Sequence, residues 1–458
     1  MKKKTIIILS SVLAGVTLIT GTVLTLGFNS IWYKIPKQDE HIENKTNLVQ
    51  AHNRALYDKN GDILSLRGLN IGNVFLQEGW MSPFALEPSK NEDGTYQRDK
   101  DGNYIYPEFT EEEFREGLKS NPKLKDRNLE EMMDYYYSCM ITEEDFSYIK
   151  NELKMNVIRL PFYYRNILND DLSLKSEEEA FKWLDWYITN AKENDLYVIL
   201  DLHGCPGSQN GLLHSGSNST GVDFWKYEKN QDAVLKLWDF VSNYYTNVKP
   251  ELGERIATYD LLNEPTWWVN GQTTKEIHKY YDKLYDVIRE NNDEHVLCLE
   301  GCWGFDNLPN PKDYGWENVQ YSYHWYNWKN DTISYDLFYL YKDFENLFRN
   351  YNVPVFIGEF TCFSDKGAWL KTLNMFDERY YSWTIWSYKV ISQGWWDNSW
   401  GIKVNKLYHD EKNGKMKTNV STCTYEEYIE TCNSMKNEHS ETGVLKEVID
   451  EYNRKRGL

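Results

Sequence analysis

The stretch ATYDLLNEP at residues 257–265 decides the fold of this chain, because an apolar, strand-like run ends there in a glutamate, Glu264. The stretch VPVFIGEF at residues 353–360 has the same form and carries Glu359 near its end. A carboxylate is costly to remove from water, so an acid that closes such a run needs a reason. Two of them, far apart in sequence, predict two carboxylates that act as a pair.

Strand-like runs of this kind recur along the chain and alternate with amphipathic helices. The predicted strands cover residues 65–71, 157–161, 197–202, 257–264, 295–300, 319–324, 353–360 and 381–388. The predicted helices cover residues 142–154, 176–194, 232–245, 274–291, 335–351, 369–376 and 443–453. This alternation predicts an α/β protein with a (β/α)8 TIM barrel. A doubly wound sheet is the alternative, and the lack of a glycine-rich phosphate loop disfavours it.

Three further segments lie outside this alternation. A β-hairpin that turns at Asn60-Gly61 is predicted before the first strand. Residues 84–140 form an insertion with two predicted helices, near residues 110–119 and 129–137. Residues 389–442 form a second insertion after the last strand. Because each insertion follows a strand, we expect both at the C-terminal face of the barrel, where active sites of this fold are built.

The N-terminus has the pattern of a membrane-directed segment. Met1-Lys2-Lys3-Lys4 precedes a run without charged residues from Thr5 to Tyr33, longer than the about 20 residues that a membrane-spanning helix needs. The lysines predict a cytoplasmic N-terminus. We favour an uncleaved signal anchor at residues 1–33 over a cleaved signal peptide, because no small-residue cleavage site follows. Residues 34–47 are then a linker and residues 48–458 the catalytic domain, on the extracellular side or secreted.

Composition excludes some partners and favours others. The formal net charge of −19 repels nucleic acid and other polyanions, so we expect a neutral or cationic ligand. Aromatic residues make up 16% of the chain, with 18 tryptophans and 35 tyrosines. Flat aromatic rings suit the apolar faces of sugars, although most of these rings are expected in the core.

The seven cysteines predict no metal site. Cys298 and Cys302 lie four positions apart, but no histidine accompanies them at a zinc-like spacing. Buried free thiols are the expected state. A small loop closed between Cys423 and Cys432 is the alternative for that pair.

Polar or aromatic residues stand at the C-terminal ends of six predicted strands. In a barrel these ends meet on one face, so we expect the side chains to form one site. A single buried histidine or arginine would more often be structural, but that interpretation does not explain a set at the same end of six strands. The candidates are Arg159, His203, Asn263, Glu264, His324, Tyr326, Glu359 and Trp386.

These residues carry a family resemblance. Asn263-Glu264-Pro265 together with Ile357-Gly358-Glu359-Phe360 resembles glycoside hydrolase family 5, and the resemblance extends from residue 56 to the C-terminus. All eight candidates match the family's usual active-site positions in order. The segment DLHGCPGSQNG at residues 201–211 is similar to that of exo-β-1,3-glucanases, as is RGLNIGN at residues 67–73 with Glu78-Gly79-Trp80. Those enzymes usually carry glycine where Asn73 stands and proline where Gly79 stands.

The resemblance implies a retaining reaction with two carboxyl groups about 5–5.5 Å apart. It makes Glu264 the acid/base and Glu359 the nucleophile. Arg159 and Tyr326 would keep Glu359 ionised, while its charge is expected to raise the pKa of Glu264. Asn263 would bind the sugar 2-hydroxyl, Trp386 would stack on the sugar, and the two histidines, His203 and His324, would bind substrate or orient the carboxylates. No metal or cofactor is expected.

The expected substrate is β-glucan with β-1,3 or β-1,4 linkages, or an oligosaccharide of it, cleaved by a monomeric enzyme. β-Mannan and a glycolipid glucoside presented at the membrane are the alternatives within the same fold. A wall-binding protein without activity is the alternative from another class. The two intact glutamates argue against it, because binding alone does not need both.

Overall fold

The computed structural model describes residues 40–99, 102, 104–217, 221–265, 274–301, 308–326, 351–391, 401–403, 416–436, 439 and 443–458. The predicted anchor at residues 1–33 lies outside these ranges, as does the helix predicted at residues 335–351 except for its last residue. Among the described residues, no helix is both long enough and apolar enough to cross a membrane.

Eight parallel strands form a closed barrel. Each strand pairs with the next one along the chain, and the eighth pairs with both the seventh and the first. The strands are Arg67–Ile71 (β1), Val157–Tyr163 (β2), Tyr197–Gly204 (β3), Ile256–Asp260 (β4), Val296–Glu300 (β5), Val319–Tyr326 (β6), Val355–Thr361 (β7) and Ser382–Val390 (β8). This closure confirms the predicted (β/α)8 barrel and excludes the doubly wound sheet.

Helices follow most of the strands and surround the barrel. The described helices of four or more residues are Glu111–Ser120, Leu129–Met140, Glu143–Asn151, Tyr164–Ile167, Glu177–Glu193, Asp223–Lys226, Glu228–Asn243, Pro250–Gly253, Thr274–Glu290, Lys366–Glu378, Tyr425–Asn433 and Val444–Lys455. A π-helical turn, Tyr244–Val248, continues the helix after β3. Several helices begin where the sequence predicts, because a hydroxyl and an acid three residues later form a capping box, as Ser176 and Glu179 do.

A small antiparallel sheet closes the N-terminal end of the barrel. It consists of Gln50–His52, Ala55–Tyr57 and Ile63–Leu64, so the predicted hairpin is confirmed and has one more strand than expected. Val49 and Leu56 from this sheet pack with buried strand residues such as Val157 and Phe356. This apolar plug excludes water from the N-terminal end, so polar side chains are left to the opposite end of the barrel.

The two insertions pack against each other. Thr418–Asn419 in the second insertion pairs in parallel with Phe84–Ala85 in the first. The Tyr428 ring lies 5.4 Å from that of Phe84, and its hydroxyl donates to the Met132 carbonyl oxygen at 2.6 Å. The backbone N–H of Ile391, directly after β8, donates to the carbonyl oxygen of Met81, which lies three residues before the first insertion. The two insertions therefore form one layer beside the C-terminal ends of β1 and β8.

Six of the seven cysteines are described, and all six are buried and free. This is the expected state. The alternative bridge between Cys423 and Cys432 is not formed.

Candidate active site

A fully buried arginine organises the C-terminal end of the barrel. The guanidinium of Arg159 on β2 donates to the Asp260 carboxylate at 2.9 Å, to Asn263 Oδ1 at 2.9 Å and to Glu359 Oε1 at 3.0 Å. It also contacts Asp201 at 3.1 Å and Asn70 Oδ1 at 3.0 Å. A buried charge needs partners of this kind on every side. Arg159 therefore joins side chains from β1, β3 and β7 and from β4 with its following loop.

Burial alone would lower the pKa of Arg159, but the carboxylates of Asp201, Asp260 and Glu359 outweigh burial and raise it. The guanidinium is therefore a permanent cation. Burial raises the pKa of Asp201 and that of Asp260 to about 7, although Arg159 opposes both shifts. The two aspartates are therefore only partly ionised at neutral pH. They neutralise less of the positive charge of Arg159, and more of it acts on Glu359.

His203 at the end of β3 is a neutral imidazole. Its Nδ1 lies 2.6 Å from Asp201 Oδ2, and its Nε2 lies 3.4 Å from Asn263 Nδ2. Burial lowers the pKa of His203 well below its usual value. The Nδ1–H therefore donates to Asp201, and Nε2 faces the Asn263 amide as an acceptor. The ring nitrogens of His203 thus contact Asp201 and Asn263, and its expected function stays a prediction.

Glu359 on β7 lies between two donors that keep their protons. Arg159 donates to Oε1 at 3.0 Å, and the Tyr326 hydroxyl donates to Oε2 at 2.5 Å. Burial, together with the negative charge of Glu359, raises the pKa of Tyr326 well above its usual value. The phenol is therefore always protonated in the range where proteins work. These contacts are those expected around an ionised carboxylate.

Glu264 lies beyond β4 in a backbone conformation that few residues adopt. Strand β4 ends at Asp260, earlier than predicted, and Glu264 has a φ of +45° in the left-handed region. Its backbone N–H donates to Glu300 Oε2 at 2.7 Å, which holds this turn. Its side chain meets two imidazoles: His324 Nδ1 lies 2.8 Å from Oε1, and His214 Nε2 lies 2.8 Å from Oε2.

The expected rise in the pKa of Glu264 is wrong for this arrangement. Burial acts to raise the pKa of Glu264, but His214 and His324 outweigh it and hold the pKa well below its usual value. In turn the pKa of His214 is raised to about 9 and that of His324 to about 10, because neighbouring carboxylates outweigh the effect of burial. These shifts favour an ionised Glu264 beside two protonated imidazoles.

His324 on β6 connects the two glutamates. Its Nδ1 is 2.8 Å from Glu264, 3.4 Å from Glu300 Oε1 and 3.6 Å from Glu359 Oε2. A Cβ atom at Gly358 would lie 2.7 Å from Nε2 of this ring, so the glycine before Glu359 lets the imidazole lie against β7. Glu264, Glu300 and His324 are close enough together to hold a metal ion. The same geometry is also explained by one hydrogen on His324 Nδ1 that the carboxylates of Glu264, Glu300 and Glu359 share.

Aromatic residues form one wall of the site. Trp386 on β8 packs with Trp80, Met81 and Val390, and its ring lies parallel to that of His203 at 5.3 Å. Only 4% of Trp386 is exposed. The structure therefore places Trp386 beside the polar cluster, as predicted, with His203 against its ring.

Five further polar groups belong to this cluster, and the sequence analysis did not assign them a role. They are Glu78, Asp201, His214, Asp260 and Glu300. Burial, helped by the negative charge of Glu359, raises the pKa of Glu78 to about 7. The three strand acids could have been found, because each is an acid within a predicted strand. Glu78 lies within a quoted motif, and only the fold brings His214 to Glu264.

The structure explains one departure from the glucanase motif. Asn73 follows β1 with a φ of +61°, a conformation that glycine adopts freely and asparagine more readily than most residues. Its side-chain oxygen accepts from the Glu78 N–H at 2.7 Å. The change from glycine is therefore compatible with the same turn, and it adds a bond that fixes the segment carrying Glu78.

Comparison with known proteins identifies the family. Residues 118–392, more than half of the chain, match the model of the cellulase family, glycosyl hydrolase family 5. The chain belongs to glycosyl hydrolase family 5. The family's name, glycosyl hydrolase, agrees with the prediction from the strand-end residues.

Two curated relatives give the extent of the similarity. A protein named beta-xylosidase from Phanerodontia chrysosporium is 30% identical over 276 residues, which cover 59% of this chain but only 50% of that protein. A probable glucan 1,3-beta-glucosidase A from Neosartorya fischeri is 26% identical over 328 residues, which cover 70% of each chain. The chain thus spans half of the first relative.

Solved structures support the fold alone. The crystal structure of endogalactoceramidase has a TM-score of 0.55 at 16% identity, covering 84% of each chain. Rutinosidase from Aspergillus niger has a TM-score of 0.53 at 16% identity, covering 72% of this chain and 90% of that one.

Proposed function

We propose that this protein is a retaining β-glycosidase that hydrolyses β-glucan, with Glu264 as acid/base and Glu359 as nucleophile. One observation carries the proposal: a single atom, His324 Nδ1, lies 2.8 Å from Glu264 and 3.6 Å from Glu359. The sum of these two distances is an upper limit for the distance between Glu264 Oε1 and Glu359 Oε2. This limit is just under about 6.5 Å, the shortest separation of the two carboxyl groups in inverting enzymes, so the geometry favours retention.

The surroundings of the two glutamates support their division of roles. Glu359 has donors that keep their protons, so it can attack the anomeric carbon as a carboxylate. Glu264 has partners that can exchange protons with it, as a group that alternates between acid and base requires. Asn263, held by Arg159 at 2.9 Å, is positioned to bind a sugar hydroxyl near both. Trp386 and Tyr326 supply apolar surface beside them.

The choice of β-glucan rests on the relatives and on charge. The relative from Neosartorya fischeri is named a probable glucan 1,3-beta-glucosidase A, and the strongly negative chain favours a neutral polymer over an anionic one. The relative named beta-xylosidase makes a β-xyloside the second candidate. We also propose that residues 1–33 direct the enzyme to the outer face of the membrane or out of the cell, because they pair lysines with a long uncharged run.

The decisive experiment combines product stereochemistry with a substrate panel. The enzyme is incubated with laminarin, lichenan, carboxymethyl-cellulose, mannan, xylo-oligosaccharides and glucosylceramide. The first product is followed by proton NMR. We expect a β-glucan to be the best substrate and the β-anomer to appear first. An α-anomer formed first would exclude retention, and cleavage of mannan, xylan fragments or the glycolipid alone would exclude the glucan. Saturable glucan binding without sugar release would indicate a binding protein.

The N-terminal proposal has its own test. The full chain is expressed in its host, the cells are fractionated, and the mature N-terminus is sequenced. An anchor is expected to give a membrane-bound protein with an intact N-terminus, and a signal peptide a shortened one. A full-length protein in the soluble cytoplasmic fraction would contradict both forms of the proposal.

A further inference from the structure

His214 is a group that the proposed chemistry does not use, although it touches the proposed acid/base. It lies in the short turn Leu213–Ser215 after β3. Its Nε2 is 2.8 Å from Glu264 Oε2, the carboxylate oxygen that His324 does not bind. The loop is fixed in place, because the Gln209 amide donates to the backbone carbonyls of His203 and Asn263 at 2.8 Å each.

His214 is also more exposed to solvent than the two groups on either side of the Glu264 carboxylate. Its side chain is 27% exposed, whereas that of Glu264 is 4% exposed and that of His324 is fully buried. Carboxylates from three elements act on it electrostatically: Glu264 after β4, Glu78 after β1 and Glu359 on β7. The neutral ring of His203 lies 6.3 Å away on β3. These carboxylates outweigh burial and raise the pKa of His214 to about 9, so it carries a proton at neutral pH.

A second neighbour stabilises the ring after that proton leaves. Asn210 Nδ2 lies 3.1 Å from the same Nε2 atom. The amide orientation is fixed, because Asn210 Oδ1 accepts from the Leu212 N–H at 2.9 Å. A protonated His214 forms an ion pair with Glu264, whose Oε2 lies 2.8 Å from Nε2, and a deprotonated Nε2 can accept from Asn210. Each protonation state of His214 therefore has a polar partner.

We propose that His214 is a positioning residue that stores the catalytic proton and delivers it to Glu264 when substrate binds. This inference rests on the proposed function, because it takes Glu264 as the acid/base. An ionised Glu264 cannot protonate a leaving group, so a proton must reach it before the glycosidic bond breaks. Substrate that fills the site excludes water and disfavours the ion pair relative to its neutral form.

The proton balance of this step is complete without an added reagent. The Nε2–H bond of the His214 imidazolium breaks as an O–H bond forms at Glu264 Oε2, which leaves a neutral imidazole and a carboxylic acid. Glu264 then gives the proton to the glycosidic oxygen while Glu359 bonds to the anomeric carbon. In the second half-reaction Glu264 takes a proton from the attacking water and returns it to His214.

The test compares pH profiles of the full chain and its His214→Asn variant on laminarin. Asparagine can still hydrogen-bond but cannot carry the proton. We expect the alkaline limb of kcat/KM to move down by at least one pH unit, from near 9 to 8 or below, with the acid limb in place, so that activity at pH 8 falls at least about twofold. The control is His41→Asn, which changes another histidine beside a carboxylate, Asp62, at an exposed position. It should leave the profile unchanged.

A second readout needs no substrate. In the full chain labelled with ¹⁵N-histidine, the His214 signal, identified by its loss in His214→Asn, should titrate near pH 9 and move down by at least one unit in Glu264→Gln. Titration near 6.5 in both proteins would overturn the inference, as would an equal loss of activity at all pH values. If the unmodified chain did not hydrolyse laminarin, that result would count against the proposed function. The NMR titration would still decide whether His214 is paired with Glu264.

Discussion

Glu264 and Glu359 lie at the same end of one barrel, but their partners differ in one property. Among the described residues, the donors to Glu359 are Arg159 and Tyr326, which keep their protons throughout the range where proteins work. Within the same part of the chain, the side-chain partners of Glu264 are the imidazoles of His214 and His324, which gain and lose protons near that range. The chain thus places a permanent cation and a phenol that keeps its proton beside one carboxylate, and groups with exchangeable protons beside the other.

This difference agrees with the different roles proposed for two identical side chains. A nucleophile must stay ionised, and permanent donors serve that need. An acid/base must change state twice in each cycle, and titratable partners serve that need. Repulsion from Glu359 was the expected means of keeping Glu264 protonated. In the structure His214 and His324 act in the opposite direction and hold the pKa of Glu264 well below its usual value, although burial acts to raise it.

The largest loss of activity should follow from removing the Glu359 carboxylate, whose donors keep their protons. Glu359→Gln keeps the shape of the side chain but cannot form a glycosyl ester, so kcat/KM on laminarin should fall by on the order of 10⁵-fold. Glu451→Gln is the matched control, since Glu451 is in the last helix and contacts only Lys455 among the ion pairs of the described residues. If the Glu359→Gln enzyme kept more than a few per cent of the activity, Glu359 would not be the nucleophile. The proposed difference between the two glutamates would then be wrong.

The next effect should depend on the substrate. Glu264→Gln removes the exchangeable proton, which costs about 10²–10⁴-fold when the leaving group needs protonation. The first step on a dinitrophenyl β-glucoside should lose much less, because that leaving group departs without a proton. The measurement is the ratio of kcat/KM values on laminarin and on the aryl glucoside, with burst kinetics to separate the two steps. An equal loss on both would show that Glu264 acts by binding or folding alone.

Sequence alone predicted the barrel and the eight strand-end residues, because hydrophobic periodicity and strand polarity fix both. It did not predict the shift of the Glu264 pKa, because that shift depends on His214. His214 is eleven positions beyond His203 in a loop, and its approach to Glu264 depends on hydrogen bonds from Gln209 that no local pattern reveals. Asp201 was visible within its strand, but its bond to Arg159 depends on the closure of the barrel.

The two insertions show the same limit of prediction from sequence alone. Two of their helices were predicted from local pattern, whereas Tyr425–Asn433 was not. The pairing of Thr418–Asn419 with Phe84–Ala85 joins residues more than 300 positions apart, and such short strands have no hydrophobic period of their own. Contacts of this kind arise from packing in three dimensions.

The smallest of these effects should come from Tyr326→Phe. This change removes the 2.5 Å donor to Glu359 Oε2 and leaves the Arg159 bond to Oε1 intact. A hydrogen bond to a charged group contributes about 1.5–3 kcal/mol, so kcat/KM should fall roughly 10- to 100-fold. Because the donor keeps its proton, this loss should be the same across the pH range, unlike the pH-dependent loss in His214→Asn. Tyr285→Phe, on a helix outside the barrel, is the control. A shifted alkaline limb in Tyr326→Phe would mean that the phenol exchanges its proton, and the contrast between the two glutamates would no longer hold.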